Sequence, residues 1–207
     1  ALCLALLALN IGPDSEVIAP SHTAVATITA IKMAGAIPVL VDIDPVYYTI
    51  SPEAIEKAIT ARTRAVIPVH LYGHPANMRE ILIAAKRHGL KVIEDCAQCV
   101  GGRDGHGRVS GTMGTISCWS FENSKQLTCG DGGIATCQDE ELAILLRKIG
   151  GLGFKNLTAE VGKVRADRNK FQDPEWERFD AIGYNFRLGE LAAAVGLAQA
   201  EQLDKYI

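Results

Sequence analysis

The segments Ala65-Val-Ile-Pro-Val-His70, Asn77-Met-Arg-Glu-Ile-Leu-Ile-Ala-Ala-Lys-Arg-His88 and Leu90-Lys-Val-Ile-Glu94 decide the fold class. The outer two are short, continuous and rich in Val and Ile, as strands buried on both faces are. The middle one has the length of a helix and closes on Gly89, a common C-terminal stop. Strand, helix and strand in that order make a βαβ unit with parallel strands. Upstream the same alternation holds. Residues 1–10 read as a helix, Gly12-Pro-Asp14 as a turn, Glu16-Val-Ile-Ala19 as extended, Thr23 to Met33 as a helix, and Ile37-Pro-Val-Leu-Val41 as a buried strand ending at Asp42. Ser51-Pro52 opens a further helix, with Ser as N-cap and Pro at the first helical position. The expectation is an α/β fold, a mostly parallel sheet with helices on both faces.

Past residue 100 the alternation loosens. Gly101 to Gly114 reads as a Gly-rich loop or loose hairpin. Thr115-Ile-Ser-Cys-Trp-Ser-Phe121 and Gly133-Ile-Ala-Thr-Cys137 read as strands on either side of Lys125. A helix is expected from Asp139 to Lys148, a long loop over 151–182 and an Ala-rich helix from Arg187 to Tyr206. In open parallel sheets, ligands bind beyond the carboxyl ends of the strands. Asp42, Asp95 and the Lys125 region all follow such ends and are expected to share one cleft.

Composition excludes several classes. A formal net charge of −3 gives no basic excess for nucleic acid. No stretch reaches the ~18 apolar residues of a membrane span, and apolar residues 1–9 read as a buried helix. Six scattered cysteines fit free thiols in a reducing cytoplasm better than a disulfide framework. Cys96-Ala-Gln-Cys99 forms a CxxC, but no second pair at zinc spacing accompanies it, so no metal is expected; a redox pair is its remaining special reading.

Two motifs carry chemistry. Val92-Ile-Glu-Asp95-Cys-Ala-Gln98 puts an Asp at a strand end, where by itself it would cap the next helix. Ser120-Phe-Glu-Asn-Ser-Lys125-Gln-Leu-Thr-Cys-Gly130-Asp-Gly-Gly133 lacks the Gly-Lys-Ser/Thr of a nucleotide P-loop. Alone, Lys125 reads as a surface lysine. Taken together and in this order, the motifs resemble the DegT/DnrJ/EryC1/StrS family of sugar aminotransferases, which have the fold-type I pyridoxal-phosphate architecture. The resemblance extends over Pro20-Ser-His-Thr-Ala-Val-Ala-Thr27, Pro38-Val-Leu-Val-Asp-Ile-Asp-Pro45, Ile67-Pro-Val-His-Leu-Tyr-Gly73 and Gly183-Tyr-Asn-Phe-Arg-Leu-Gly-Glu190, and so over essentially the whole chain.

The resemblance implies that Lys125 forms the Schiff base with pyridoxal 5'-phosphate and then serves as base at the substrate Cα. Asp95 would face the pyridine nitrogen, Gln98 the cofactor ring and its hydroxyl, and Ser120 the phosphate. Asn185 would bind the phosphate of a neighbouring subunit's site, which makes the protein a homodimer with shared active sites. The implied reaction moves an amino group, with L-glutamate as the expected donor, onto a nucleotide-linked keto sugar. Family dehydratases replace the lysine with histidine, so Lys125 argues against that reading, and the intact residue set argues against a non-catalytic regulator or a plain structural domain. Where relatives stack an aromatic residue on the cofactor, this chain has Ala24. The family's Ser-Gly-Thr phosphate segment is expected upstream of residue 1 and its small domain downstream of residue 207. Residues 1–207 are therefore expected to form an incomplete large domain that binds cofactor poorly by itself. Between Arg147 and Lys170 seven basic residues face Glu160 and Asp167, a candidate diphosphate-holding loop whose plainer reading is solvated surface.

Overall fold

The computed structural model describes residues 1–158 and 168–207. The elements, in chain order, are α1 (Leu2–Ala8), β1 (Glu16–Pro20), α2 (Val25–Met33), β2 (Ile37–Val41), α3 (Pro52–Ala58), β3 (Thr63–Val66), α4 (Met78–His88), β4 (Lys91–Asp95), β5 (Ile116–Ser120), β6 (Gly133–Thr136), α5 (Glu140–Gly150), α6 (Arg168–Gln172), α7 (Glu190–Ala200) and α8 (Leu203–Tyr206). The sheet order is β2-β1-β3-β4-β5-β6. β1 to β5 are parallel, and β6 runs antiparallel to β5.

Period-2 alternation in the strands splits the core into two layers. Val17, Ala19, Ala65 and Ile93 face one side, where α1 and α5 contribute Leu6, Leu146 and Ile149. Ile18, Val66 and Val92 face the other, against Ile55 of α3 and Met78 and Ile81 of α4. Both faces of the sheet are thus covered by helices. The N-terminal apolar run is an ordinary core helix that buries Ala5, Leu6 and Ala8. Among the described residues no helix is long and apolar enough to cross a membrane.

Local chemistry sets the helix ends. Ser51 Oγ accepts from Ala54 N–H at 3.2 Å and opens α3 ahead of Pro52. Asn77 caps α4, and Gly89 ends it at φ +66°. Asp139 Oδ1 accepts from Leu142 N–H at 2.9 Å and opens α5. Two expectations are revised. The span 151–182 carries the short helix α6, and the expected helix over 187–206 starts at Glu190 and divides into α7 and α8.

Because β1 to β5 are parallel, their carboxyl ends share one rim. From that rim emerge Ser21–Thr23 after β1, Leu71–Gly73 after β3, Asp95 at the end of β4 and Ser120 at the end of β5.

Candidate active site

A cleft of about 810 Å³ opens at this rim. Asp95, Ser120, Lys125 and Asn185 all line it. Asp42 does not: it is exposed at the end of β2, the edge strand, beyond the reach of the cleft.

Asp95 is almost wholly buried. Its Oδ2 accepts from Thr27 Oγ1 at 2.9 Å, and its Oδ1 accepts from Ala97 N–H at 3.1 Å. Thr27 is fully buried on α2 and continues to Thr23 Oγ1 at 2.8 Å. Burial pushes the Asp95 carboxyl above the ordinary aspartate value, outweighing these bonds and the more distant charges of His70 and Lys125. Sequence reasoning quoted Thr27 without giving it a role. Thr23 precedes α2, whose N-cap is Ala24, so the contact between the two hydroxyls is set by how the chain enters the helix.

Lys125 sits in a turn closed by its own N–H to Glu122 O at 3.0 Å. Ser124 N–H and Oγ–H donate to the Glu122 carboxylate and brace the turn. The Lys125 amine has no hydrogen bond or salt bridge among the described residues. Ser120 Oγ accepts from Glu122 N–H at 3.3 Å, which leaves its own proton to donate.

Asn185 reaches the cleft because its segment is tied to the end of α5. Tyr184 N–H donates to Ile149 O, Phe186 N–H to Gly150 O, and Leu152 N–H to Tyr184 O. Gly153 and Gly183 touch backbone to backbone: a Cβ on Gly183 would run into Gly153 N and Leu152 C. Asn185 therefore lines the same cleft as Lys125 within one chain, whereas the family resemblance implies a place at a neighbouring subunit's site. Its Oδ1 accepts from Arg187 Nε–H at 2.9 Å.

Gln98 stands apart from this group. Its Oε1 accepts from Tyr72 N–H at 3.3 Å and its backbone O from Gly73 N–H at 2.9 Å, so the side chain faces the 71–74 turn. Its neighbour Ala97 lines the cleft.

Beneath the rim lies a network not anticipated from sequence. Glu94, fully buried, accepts from His70 Nε2–H at 2.9 Å, Gly111 N–H at 2.8 Å, Met113 N–H at 2.7 Å, Gly114 N–H and Ser117 Oγ–H. His70 Nδ1 accepts from Ala76 N–H at 3.0 Å, which assigns the ring proton to Nε2. Burial alone would raise Glu94, but the bonds from His70, Gly114 and Gly111 win and hold it below the usual glutamate value. Cys96 lies within 4.8 Å of His70 and Glu94, a grouping that could hold a cation by distance alone. The hydrogen bonds commit both imidazole nitrogens and most carboxylate lone pairs, so the cluster is structural. Burial also raises the thiols of Cys96 and Cys99, and all six cysteines are free. That leaves the CxxC without the thiolate a redox pair needs.

Of the basic stretch expected over 147–170, Lys163 and Arg165 lie on 159–167, outside the described residues. In its described part Lys148 pairs with Asp180 and Lys155 with Glu177, at the surface.

Comparison with known proteins agrees with this geometry. The profile of the DegT/DnrJ/EryC1/StrS aminotransferase family matches residues 1–207. A UDP-N-acetyl-3-dehydro-alpha-D-glucosamine 3-aminotransferase from Acidithiobacillus ferrooxidans is 44% identical over 100% of this chain and 51% of its own length. GDP-perosamine synthase from Caulobacter vibrioides is 41% identical over 100% of this chain and 51% of its own. NtdA from Bacillus subtilis, solved with bound cofactor PMP, superposes with a TM-score of 0.81 at 32% identity, covering 99% of this chain and 42% of that one. The chain spans about half the length of the curated relatives it matches.

Proposed function

The chain belongs to the DegT/DnrJ/EryC1/StrS aminotransferase family, and from that premise we propose that it is the cofactor-binding large domain of an enzyme that transfers an amino group from L-glutamate to a nucleotide-linked keto sugar. The observation that carries the reading is the meeting, in one cleft, of an unpaired amine, a buried carboxylate, a free hydroxyl and an amide. These four groups match what pyridoxal phosphate presents: an aldehyde, a ring nitrogen that carries a proton, and a phosphate. The cleft volume suits a cofactor together with part of a substrate.

In this reading Lys125 holds the cofactor, and its amine then moves a proton at the substrate Cα, with geometry preset by the turn at 122–125. Asp95, fixed by Thr27 and Ala97 N–H, accepts the ring N–H as the ionised partner that burial otherwise disfavours. Ser120 Oγ–H and the Asn185 amide donate to phosphate oxygens. Gln98, whose Oε1 is taken by Tyr72 N–H, braces the 71–74 turn beside the cleft and reaches the ring hydroxyl only if that side chain turns toward Ala97. When bound, pyridoxal phosphate supplies the electron sink for the charge left at Cα. Sugar nucleotides are cytoplasmic substrates, and two copies associate with the clefts near their interface.

The test is the visible spectrum of the complete gene product with added pyridoxal phosphate. A cofactor band that glutamate bleaches is expected, and Lys125→Ala should lack it. A wild type without such a band overturns the reading. Acceptor choice is then read from a panel of UDP-, GDP- and dTDP-linked keto hexoses.

A further inference from the structure

A second cleft, of about 460 Å³, lies on the same rim and is lined by His22, Ile43, Tyr48 and Tyr72. The lining comes from the carboxyl ends of the three adjacent strands β1, β2 and β3. His22 Nε2 and Tyr72 OH are 3.1 Å apart. The His22 ring lies 5.9 Å from the Tyr72 ring and 6.5 Å from the Tyr48 ring, tilted about 60° to each. Among the described residues no charged side chain lines this cleft.

Two features separate it from an incidental surface dent. Tyr48 and Tyr72 are 53% and 72% exposed, so neither is there to fill the core. Both also hold left-handed backbone, at φ +61° and +55°, a region unfavourable to any residue with a bulky side chain. Gly or Asn would relieve that strain, yet the chain carries a tyrosine at both positions. The strain is held in place: Tyr48 N–H donates to Asp44 O, Tyr72 N–H to Gln98 Oε1, and Tyr47 stacks on His74 at 5.1 Å, tying the two turns together. Strained, exposed and braced aromatic residues at a strand-end rim mark a place where a ring is received.

The position selects the ring. His22 is two residues from Ala24 and Gln98 is next to Ala97, and both alanines line the large cleft. The clefts are therefore at most ~7 Å of chain apart. A diphosphate needs charges that this lining lacks, and a nucleobase lies beyond the diphosphate. A pyranose has the required span and chemistry: its C–H faces pack on aromatic rings, and its hydroxyls bond to phenol and imidazole. We infer that the His22–Tyr48–Tyr72 cleft is the subsite that holds the hexose ring of the substrate while the carbon to be aminated faces Lys125. The inference rests on the aminotransferase reading above and adds where the sugar lies.

The complete, cofactor-loaded protein tests it by calorimetry. The non-reacting hexose nucleotides UDP-N-acetylglucosamine, GDP-mannose and dTDP-glucose are each compared with the matching nucleoside diphosphate. The best of the three should bind at least tenfold tighter than its diphosphate alone. In Tyr48→Asn and Tyr72→Asn that advantage should vanish while the affinity for the diphosphate stays. Their melting temperatures should be no lower than wild type, because Asn accepts left-handed backbone, so misfolding cannot produce the result. An advantage that survives in both variants overturns the subsite. So does an equal loss of diphosphate and hexose nucleotide, which would assign the cleft to the nucleotide, and so does a wild type with no advantage for any hexose. If glutamate still bleaches the wild-type cofactor band in those cases, the aminotransferase reading stands and the sugar subsite alone falls.

Discussion

The Asp95 carboxyl is lifted above its ordinary value of 3.8 by burial, while that of its neighbour Glu94 is held below its ordinary 4.5 because five donors outweigh the same effect. The signs for stability are opposite. A raised Asp95 favours the cofactor-free fold below about 3.8 and loses that contribution as pH rises through the folded-state value. A lowered Glu94 contributes above about 4.5 and loses its share as pH falls through its folded-state value. Asp95→Asn should therefore leave the cofactor-free protein at least as stable as wild type at pH 7. The amide can donate to Thr27 Oγ1 while Thr27 turns its proton to Thr23. Turnover should nevertheless drop about 100-fold or more, the scale of a removed electrostatic partner. Calorimetry and steady-state kinetics read the two effects. Glu94→Gln points an NH₂ group into N–H donors and should cost about 3 kcal/mol. It should also flatten the acid limb of stability, measured by urea unfolding between pH 3 and 7.

At the scale of elements, the 183–187 segment is held by its neighbours and not by its own propensity. Gly183→Ala has no room against the Gly153 and Leu152 backbone. It should displace Asn185 and weaken pyridoxal phosphate binding at least about tenfold, a loss of one charge-assisted hydrogen bond, read by fluorescence titration. The two-layer architecture was legible because Val/Ile strands and capped helices alternate with little ambiguity. That Asp95, Ser120 and Lys125 share one cleft follows from the strand ends, whereas their roles come only from the family resemblance, since alone Asp95 reads as a helix cap and Lys125 as a surface lysine. The antiparallel sense of β6 was not, since a four-residue strand carries no directional signal. Nor was the His70–Glu94 network, whose donors come from segments 70, 111–117 and 76, joined only by folding. The Gln98 side chain took an orientation set by the Tyr72 turn, a contact 26 residues away in sequence.

For the whole molecule, the unfinished surface is α7. It buries no residue, and Leu191, Val195 and Leu197 stand exposed, with Ile182 nearby in sequence 89% exposed. A helix this apolar is stable in water only with a partner over it. The complete gene product should sediment at twice its chain mass, and Leu191→Glu with Val195→Glu should shift it toward the monomer. A monomeric wild type would instead assign this face to an intrachain contact. The aromatic cleft lies at the β1–β3 end of the rim, and the Lys125 cleft extends to the turns after β5.

The wall of the Lys125 cleft is built from residues 185–188, long after Lys125 itself. The interval is 188 − 125 = 63 residues, which a ribosome covers in roughly 3–13 s. For that time the nascent chain carries the amine, the carboxylate and the hydroxyl on an open rim. The amide arrives only when α5 has folded and the glycine pair has closed. On the roles proposed above, a cofactor meeting the chain during synthesis would find its chemical anchors before it found its enclosure.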